Sequence, residues 1–280
     1  MASRREVLNI LCTAARECYD DIEARQIAEM VLEAKGGLSR NDILVEPNME
    51  VTIEDLDTIV EQLKRWQPVQ YIIGSAEFMD MTLQVSDAVL IPRPETEELV
   101  MWVAEECAPG SRILDVGTGS GCIAIGVARS VKDSKVSAID ISDAALAVAR
   151  RNGAEYAPNV EFLKGDALAD FDTLFDDKFD AVVSNPPYIP EQDISLMRPN
   201  VVDYEPHMAL FVPDNDPLIF YRSIAHTARR MLREGGGLYF EIYENLVEEM
   251  CAMLRAEGYG DVRVREDFRG KPRMICAKIG

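Results

Sequence analysis

The segment Asn185-Pro186-Pro187-Tyr188 combines groups that could hold a flat amino group. It follows the apolar run 179–184, which is typical of a buried strand. The two prolines have no N–H to donate and have fixed φ angles, so the chain can neither extend a sheet nor begin a helix there. The Asn185 amide oxygen and the Pro186 carbonyl can accept hydrogen bonds, and Tyr188 offers an aromatic face for stacking. The segment indicates a pocket for a planar –NH2 group, although such residues also occur in ordinary turns.

A glycine-rich turn is predicted between a buried strand at 113–116 and an apolar helix at 122–129. The turn consists of Gly117, Thr118, Gly119, Ser120 and Gly121. Because glycine lets the backbone approach a ligand closely, we expect a cofactor to bind there. A nicotinamide-binding fingerprint requires Gly or Ala at its sixth position, where this chain has Cys122, and a P-loop requires a following Gly-Lys-Ser/Thr. The dinucleotide hypothesis is therefore weakened, and the P-loop hypothesis is excluded.

Two further acids stand where predicted strands end. Asp140 follows the glycine turn by about 20 residues, the spacing at which a carboxylate meets a ribose in such folds. Ser142 or Asp143 can cap the next helix, which leaves Asp140 free for a ligand. The segment Gly165-Asp166-Ala167 ends the third strand and places a second acceptor where an adenine amino group could lie. A plain turn explains that segment equally well.

The elements that must position these groups alternate along the chain from residue 95 onward. Strands are predicted at 112–116, 135–140, 160–164, 179–184, 237–242, 262–267 and 273–279, and helices at 95–107, 122–130, 143–156, 218–233 and 244–257. Such alternation predicts an α/β fold with a doubly wound, mainly parallel sheet. Ligands of these sheets bind at the carboxyl ends of the strands, which is where the segments above fall.

The first part of the chain has a different pattern. Apolar residues recur at helical spacing in 7–14, 22–35 and 56–66, with Gly36-Gly37 as a stop and Thr52 as an N-cap. The short runs 71–73, 77–79 and 82–85 are interpreted as strands of a β-hairpin. We therefore expect three parts: a helical domain at 1–69, a hairpin linker at 70–94 and the sheet domain at 95–280.

Composition limits the classes of function. The 280 residues, 48% of them hydrophobic, suffice for a full core, and the net charge of −20 argues against nonspecific binding to nucleic acid. An acidic surface favours a basic partner, although it also serves solubility alone. The six cysteines form no C-x-x-C pair and the two histidines are not spaced as ligands with them, so no metal is expected. Neither a leader nor an apolar span of ~18 residues is recognisable, and a cytoplasmic location is predicted.

The segment 115–121, which includes Asp115 and the glycine turn, together with Asp140, Asp166 and the segment 185–188 resembles the motifs of class I S-adenosylmethionine-dependent methyltransferases that act on planar amino groups. Three further segments, 91–97, 204–206 and 267–273, are similar to the release factor glutamine methyltransferase family of the PrmC/HemK type. The resemblance spans nearly the whole chain. It implies a Rossmann-like seven-stranded sheet, a small N-terminal helical domain for substrate recognition and a hairpin linker.

The same resemblance implies an enzyme that moves the methyl group of S-adenosylmethionine to N5 of the glutamine in the Gly-Gly-Gln motif of peptide chain release factors. Its expected partners are these protein substrates, without direct contact to nucleic acid or membrane. Asn185, Pro186 and Tyr188 are the expected catalytic residues, and Pro187 joins them in binding the substrate. The expected cofactor residues are Gly117, Thr118, Gly119, Ser120, Gly121, Asp140, Asp166, Ala167 and Asn185.

Some points stay open at this level. Some family members carry a bulky aromatic residue where this chain has Ala167, so what covers the adenine is undefined. Arg93 and Glu95 either line the cofactor or substrate entrance or form a surface salt bridge, whereas His207 is interpreted as a loop residue and His226 as structural. Three other functions remain as alternatives: an adenine N6 methyltransferase acting on DNA or RNA, a nicotinamide-dependent oxidoreductase, and a scaffold without activity.

Overall fold

The computed structural model describes residues 2–280; Met1, the first residue of the predicted helical domain, lies outside the described residues. Contacts divide the chain into two compact units. The helical unit comprises the chain up to Ser75 together with Arg198–Tyr204, and the sheet unit comprises Ala76–Met197 together with Glu205–Gly280. The boundary at Ser75 runs through the segment 70–94 that was expected to be a linker.

The helical unit is built around buried aliphatic side chains. Its elements are β1 (Ala2–Ser3), α1 (Arg4–Ala15), α2 (Asp21–Gly36), α3 (Arg40–Val45), β2 (Glu50–Val51), α4 (Leu56–Lys64) and α5 (Val69–Ile73). Leu11, Leu32 and Leu63 from α1, α2 and α4 meet in one fully buried cluster. Gly37 ends α2 in the left-handed conformation, as the Gly36-Gly37 pair predicts. Arg198 also belongs to this unit and pairs with Glu23 at 2.9 Å.

Two predictions for the helical unit are wrong. The run 71–73 is not a strand but part of helix α5, which follows Pro68 and ends at a left-handed Gly74, so that Val69 and Ile72 are buried on one side. Thr52 does not cap α4, because the helix begins at Leu56 after a turn at Asp55, whose φ is 57°. Ile53 is buried in the helical core, and the chain must turn after it before a helix can begin.

The short helix α9 (Pro199–Val202) belongs to the helical unit, and the other elements belong to the sheet unit. These are β3 (Ser75–Phe78), β4 (Met81–Gln84), α6 (Pro94–Glu106), β5 (Arg112–Val116), α7 (Cys122–Ser130), β6 (Lys135–Asp140), α8 (Asp143–Tyr156), β7 (Glu161–Lys164), β8 (Phe179–Ser184), β9 (Ile189–Pro190), β10 (Phe211–Val212), α10 (Ile219–Met231), β11 (Leu232–Glu241), α11 (Val247–Ala256), β12 (Gly260–Glu266) and β13 (Pro272–Lys278).

Seven strands form one sheet in the order β12-β13-β11-β8-β5-β6-β7. The strands from β11 to β7 are parallel, and β13 pairs antiparallel with both β11 and β12. Alternate residues of each strand face opposite sides: Ile113 joins a core with α6, α7 and α8, whereas Leu114 joins a core with α10 and α11. The predicted doubly wound, mainly parallel seven-stranded sheet is confirmed. Because β5 lies between β8 and β6, the segments that follow these three strands meet at one edge.

The β3–β4 hairpin belongs to the core of the sheet unit. Phe78, Met81 and Leu83 are buried together with α6 and α7. The fully buried Asn152 of α8 accepts a hydrogen bond from Gln84 N at 2.8 Å and donates to the carbonyl oxygens of Gln84 and Ser120. One side chain thereby links the hairpin, α8 and the glycine turn.

Strand β11 begins at Leu232, five residues before the predicted start at 237, with a register irregularity against β8 between Leu232 and Gly237. The predicted helix at 244–257 is divided into a single 3₁₀ turn, Glu244–Leu246, and helix α11. Among the helices of residues 2–280, none has the length and apolar character needed to cross a membrane.

Candidate active site

A cavity of about 490 Å³ lies in the sheet unit at the carboxyl ends of strands β5 to β8. Four segments that the sequence singled out line it: 117–120, 140–142, 165–168 and 185–187. They come from different turns, and the parallel order of the strands brings them together. Gly121 and Tyr188, both expected in the site, do not line this cavity.

The glycine turn follows β5 with positive φ angles at Gly117 (77°), Gly119 (56°) and Gly121 (86°), a conformation that favours glycine. The first two glycines leave open space on the cavity side. Gly121 instead begins α7, and a Cβ there would lie 3.1 Å from Ile125 and 3.3 Å from Ala149. Gly121 therefore lets α7 pack closely against α8 and has no direct place in the cavity.

Asp140 ends β6 and lines the cavity with only 9% of its surface exposed. Its two carboxylate oxygens accept hydrogen bonds from Gly119 N and Ser142 N, each at 2.9 Å. Ser142 caps helix α8 by accepting from Ala145 N. Burial raises the pKa of Asp140, and the backbone hydrogen bonds oppose that effect. Each carboxylate oxygen can accept a second hydrogen bond, so Asp140 can still receive the hydroxyls of a sugar.

Asp115, within β5, was given no role by sequence reasoning. It is fully buried; its Oδ2 accepts from Thr118 Oγ1 at 2.6 Å, whereas the described chain offers no hydrogen-bond partner to Oδ1. Burial raises the pKa of Asp115 to about 7. A buried carboxylate oxygen without a hydrogen-bond partner is costly, and Asp115 itself does not line the cavity. An acid inside an otherwise apolar strand was the signal that could have identified it.

The end of the cavity near β7 is mostly apolar. Asp166 Oδ1 accepts from Leu168 N at 2.8 Å, which is a local turn contact, and its other oxygen has no such contact among the described residues. Ile141 and Leu168 line the cavity and are nearly half exposed, at 47% and 46%. Phe220 of α10 lines it as well. Around Ala167 the structure therefore supplies apolar side chains that fit the faces of a flat ring.

Asn185 lies at the opposite end, after β8. Its Nδ2 donates to Thr96 Oγ1 in a long hydrogen bond of 3.4 Å, and Thr96 Oγ1 donates to Glu241 Oε2 at 2.6 Å. Tyr188 donates its hydroxyl to the other oxygen, Glu241 Oε1, at 3.1 Å, and its ring stacks on Tyr243 with centroids 6.1 Å apart. Sequence reasoning missed both Thr96 and Glu241. An acid at the end of the predicted strand 237–242 was a signal for Glu241, and Thr96 lies in the segment 91–97 that carried the resemblance, although no role was assigned to it.

Charge and burial act against each other at Glu241. Thr96 and Glu241 are each only 2% exposed. Burial raises the pKa of Glu241, while hydrogen bonds from Thr96 and Tyr188 and the positive charge of Arg273 lower it. Burial is the larger effect, so the pKa of Glu241 stays above its ordinary value despite these three contributions from separate elements.

Arg93 also lines the cavity and pairs at 2.5 Å with Glu205, a carboxylate with a 1% exposed side chain. Glu205 accepts a further hydrogen bond from Ile91 N at 3.1 Å. This pair joins two of the segments that carried the resemblance, 91–97 and 204–206. Glu95 does not line the cavity.

The two histidines lie outside the cavity lining. His207 makes an edge contact with Phe211, with ring centroids 5.1 Å apart. His226 pairs with Glu257 at 3.3 Å on the side of α10. Within residues 2–280, no three His, Cys, Asp or Glu side chains are grouped so that they could hold a metal ion.

Comparisons with known proteins agree with this geometry. The Methyltransferase small domain family matches residues 96–199, and the PrmC N-terminal domain family matches residues 12–74. The chain is 47% identical over 265 residues to the release factor glutamine methyltransferase of Bacteroides thetaiotaomicron, covering 94% of this chain and 95% of that protein. It is 39% identical to the release factor glutamine methyltransferase of Flavobacterium psychrophilum, covering 94% of each.

Among solved structures, a methyltransferase from Pyrococcus furiosus has the same fold, with a TM-score of 0.53 and 18% identity over 71% of this chain and 88% of that chain. The order of the strands, the cavity at their carboxyl ends and the identity over most of the chain lead to one conclusion. The chain belongs to the release factor glutamine methyltransferase family, and its sheet unit is a methyltransferase domain.

Proposed function

We propose that this protein transfers a methyl group from S-adenosylmethionine to N5 of the glutamine in the Gly-Gly-Gln motif of peptide chain release factors. The observation that carries the proposal is the placement of Asn185. Its –NH2 group is directed at Thr96, its Oδ1 receives no hydrogen bond from residues 2–280, and it lines the cavity shared with the glycine turn and Asp140. A free amide oxygen in that place suits a substrate that presents a planar –NH2 group.

The residues present fit S-adenosylmethionine. Asp140 has remaining acceptor capacity for ribose hydroxyls, Ile141 and Leu168 offer apolar walls for adenine, and Asp166 stands beside them for its amino group. When bound, this cofactor supplies a methyl group attached to a positively charged sulfur atom.

The residues of this chain that line the cavity make the amide nitrogen of the substrate glutamine reactive. The lone pair of an amide nitrogen is delocalised into the carbonyl group, so the nitrogen is a poor nucleophile. If Asn185 Oδ1 and the Pro186 carbonyl each accept one N–H of the glutamine amide, both hydrogens are held and the lone pair is directed to one side. Nitrogen becomes more positive during the reaction, so these acceptors bind the transition state more tightly than the ground state.

No general base is needed in this scheme, because the proton can leave to water after the transfer. The cavity lining among the described residues accordingly contains no histidine. Pro187 lines the cavity and stiffens its wall. The stacking of Tyr188 on the substrate amide stays a prediction, and the contacts of Tyr188 with Glu241 and Tyr243 give it a supporting role behind the cavity.

The other functions are less well supported. An adenine N6 methyltransferase must bind phosphates, which a net charge of −20 does not favour. The relatives that match 94% of this chain are release factor glutamine methyltransferases instead. A nicotinamide-dependent oxidoreductase and an inactive scaffold have no comparable support. A role for the helical unit in recognising the release factor and a cytoplasmic location both stay predictions.

A methylation assay tests the proposal. The full chain is incubated with labelled S-adenosylmethionine and either a purified release factor or total nucleic acid, and the modified residue is mapped by mass spectrometry. We expect label on the glutamine of the Gly-Gly-Gln motif and none on a release factor with that glutamine replaced by alanine. Label in nucleic acid alone would overturn the proposal.

A further inference from the structure

Three polar side chains stand in a row behind Asn185, and each comes from a different element. Thr96 is in the first turn of α6, Glu241 ends β11 and Tyr188 follows the turn after β8. The distances from Asn185 Nδ2 to Thr96 Oγ1, from Thr96 Oγ1 to Glu241 Oε2 and from Tyr188 Oη to Glu241 Oε1 are 3.4, 2.6 and 3.1 Å. The row is nearly closed to solvent at Thr96 and Glu241.

The direction of each hydrogen bond follows from the groups themselves. Thr96 and Tyr188 each donate a hydroxyl hydrogen to a different carboxyl oxygen of Glu241. A hydroxyl has one hydrogen, and Thr96 uses its hydrogen on Glu241. The oxygen of Thr96 can therefore only accept from Asn185, which must present its –NH2 group. In the flipped orientation, two oxygens with lone pairs would face each other, and a buried acceptor would lose its donor.

We propose that Thr96 and Glu241 are positioning residues that fix the side-chain amide of Asn185 in one orientation, with Oδ1 left for the amino group of the substrate. This inference rests on the proposed function, because it gives Asn185 Oδ1 the part of a substrate acceptor. An asparagine alone has two nearly isosteric orientations, of which one offers donors where the substrate also has donors. The carboxylate of Glu241 removes that ambiguity through Thr96.

The burial of Glu241 supports a functional reason for a carboxyl group at this position. Burying a carboxylate is costly, and a structural tie between α6 and β11 could be made by apolar packing instead. Arg273 is close enough to influence the charge of Glu241 without forming a hydrogen bond to it among the described contacts. The two oxygens of Glu241 are instead occupied by the hydroxyls of Thr96 and Tyr188, which holds both hydroxyls in fixed orientations.

The first test is Thr96→Val, which keeps the shape of the side chain and removes the hydroxyl. We expect turnover of a release factor to fall roughly 10- to 100-fold, the scale of one lost buried hydrogen bond, with little change in cofactor affinity by calorimetry. Thr96→Ser keeps the hydroxyl and should recover most of the turnover. Thr227→Val is the matched control, because Thr227 is equally buried but lies on α10 outside the cavity lining.

A double-mutant cycle separates positioning from a structural tie. If Thr96 acts through Asn185, Thr96→Val should cost little further turnover in an Asn185→Ala background. Additive losses, equal turnover of Thr96→Val and the unmodified chain, or a loss that Thr96→Ser does not recover would each overturn the inference. A release factor that the unmodified chain fails to methylate would count against the proposed function instead.

One readout is independent of any substrate. In protein with labelled asparagine, one Nδ2 proton of Asn185 should exchange slowly by nuclear magnetic resonance, because it is held by Thr96. The protection should disappear in Thr96→Val and persist in Thr96→Ser. Equal exchange in Thr96→Val and the unmodified chain would show that Thr96 does not hold the amide, whatever the substrate.

Discussion

At the scale of single residues, the most demanding position is Asn185, which must present an acceptor and must not present a donor. We predict that Asn185→Ala keeps the fold and most of the cofactor affinity but loses roughly 10²–10³ in turnover, the scale for one transition-state hydrogen bond. Turnover on a release factor, calorimetry with the cofactor and thermal melting would check this. Asn159→Ala, at an exposed turn, is the control. Normal turnover of Asn185→Ala would contradict the mechanism.

Asp115 gives a prediction about pH. In the folded, cofactor-free protein its pKa is raised to about 7 by burial, above the ordinary value of 3.8. The unfolded chain therefore loses the proton first, and stability is lost as pH rises from about 4 through about 7. The variant Asp115→Asn cannot ionise and should not lose this stability. The difference in unfolding free energy between the variant and the unmodified chain should therefore increase with pH, by up to about 4 kcal/mol.

Urea unfolding of both variants at pH 5.5 and pH 8 measures that difference. We expect a larger gap between their unfolding midpoints at pH 8 than at pH 5.5. An equal gap at both pH values would mean that the Asp115 carboxylate is not the group that titrates.

At the scale of elements, the β3–β4 hairpin acts as a support of the glycine turn and not as a spacer. Its link is Asn152, whose loss removes one hydrogen bond each from Gln84 N and from the carbonyl oxygens of Gln84 and Ser120. We predict that Asn152→Ala lowers the free energy of unfolding by roughly 2–4 kcal/mol and weakens cofactor binding. Chemical unfolding and calorimetry measure the two effects.

The matched control uses the neighbouring residue on the same helix that also touches the hairpin. Tyr156 exchanges hydrogen bonds with Thr82 at an exposed position, so Tyr156→Phe should change the unfolding free energy by only about 0.5 kcal/mol. If Asn152→Ala were as mild as Tyr156→Phe, the hairpin would not support the turn.

Long elements were predicted correctly from sequence patterns, whereas a short one was not. The strands that flank the glycine turn were predicted at 112–116 and 135–140 and have those bounds in the structure, because long apolar runs between turn residues allow few alternatives. The run 71–73 is as apolar as a strand but folds as the end of helix α5, since Pro68 and Gly74 delimit a helical turn whose apolar residues face the helical core. A three-residue run has no period by which helix and strand can be distinguished.

At the scale of the whole molecule, the net charge of −20 favours a basic partner. We predict that the KM for the release factor rises several-fold between about 50 and 300 mM NaCl at saturating cofactor, because salt screens attraction between exposed charges. The turnover number should change much less. A KM that does not respond to salt would mean that recognition depends on apolar or buried contacts instead.

The sequence by itself determined the class of fold, the glycine turn, the acid at the end of β6 and the segment after β8. These features are local, because a strand, its length and the turn that follows it depend on neighbouring residues. The parallel order of the strands then brings their carboxyl ends together. Only the tertiary structure showed which side chains contact and orient Asn185. Thr96 and Glu241 are 145 residues apart, and no local pattern states that one hydroxyl between a carboxylate and an amide sets the orientation of Asn185.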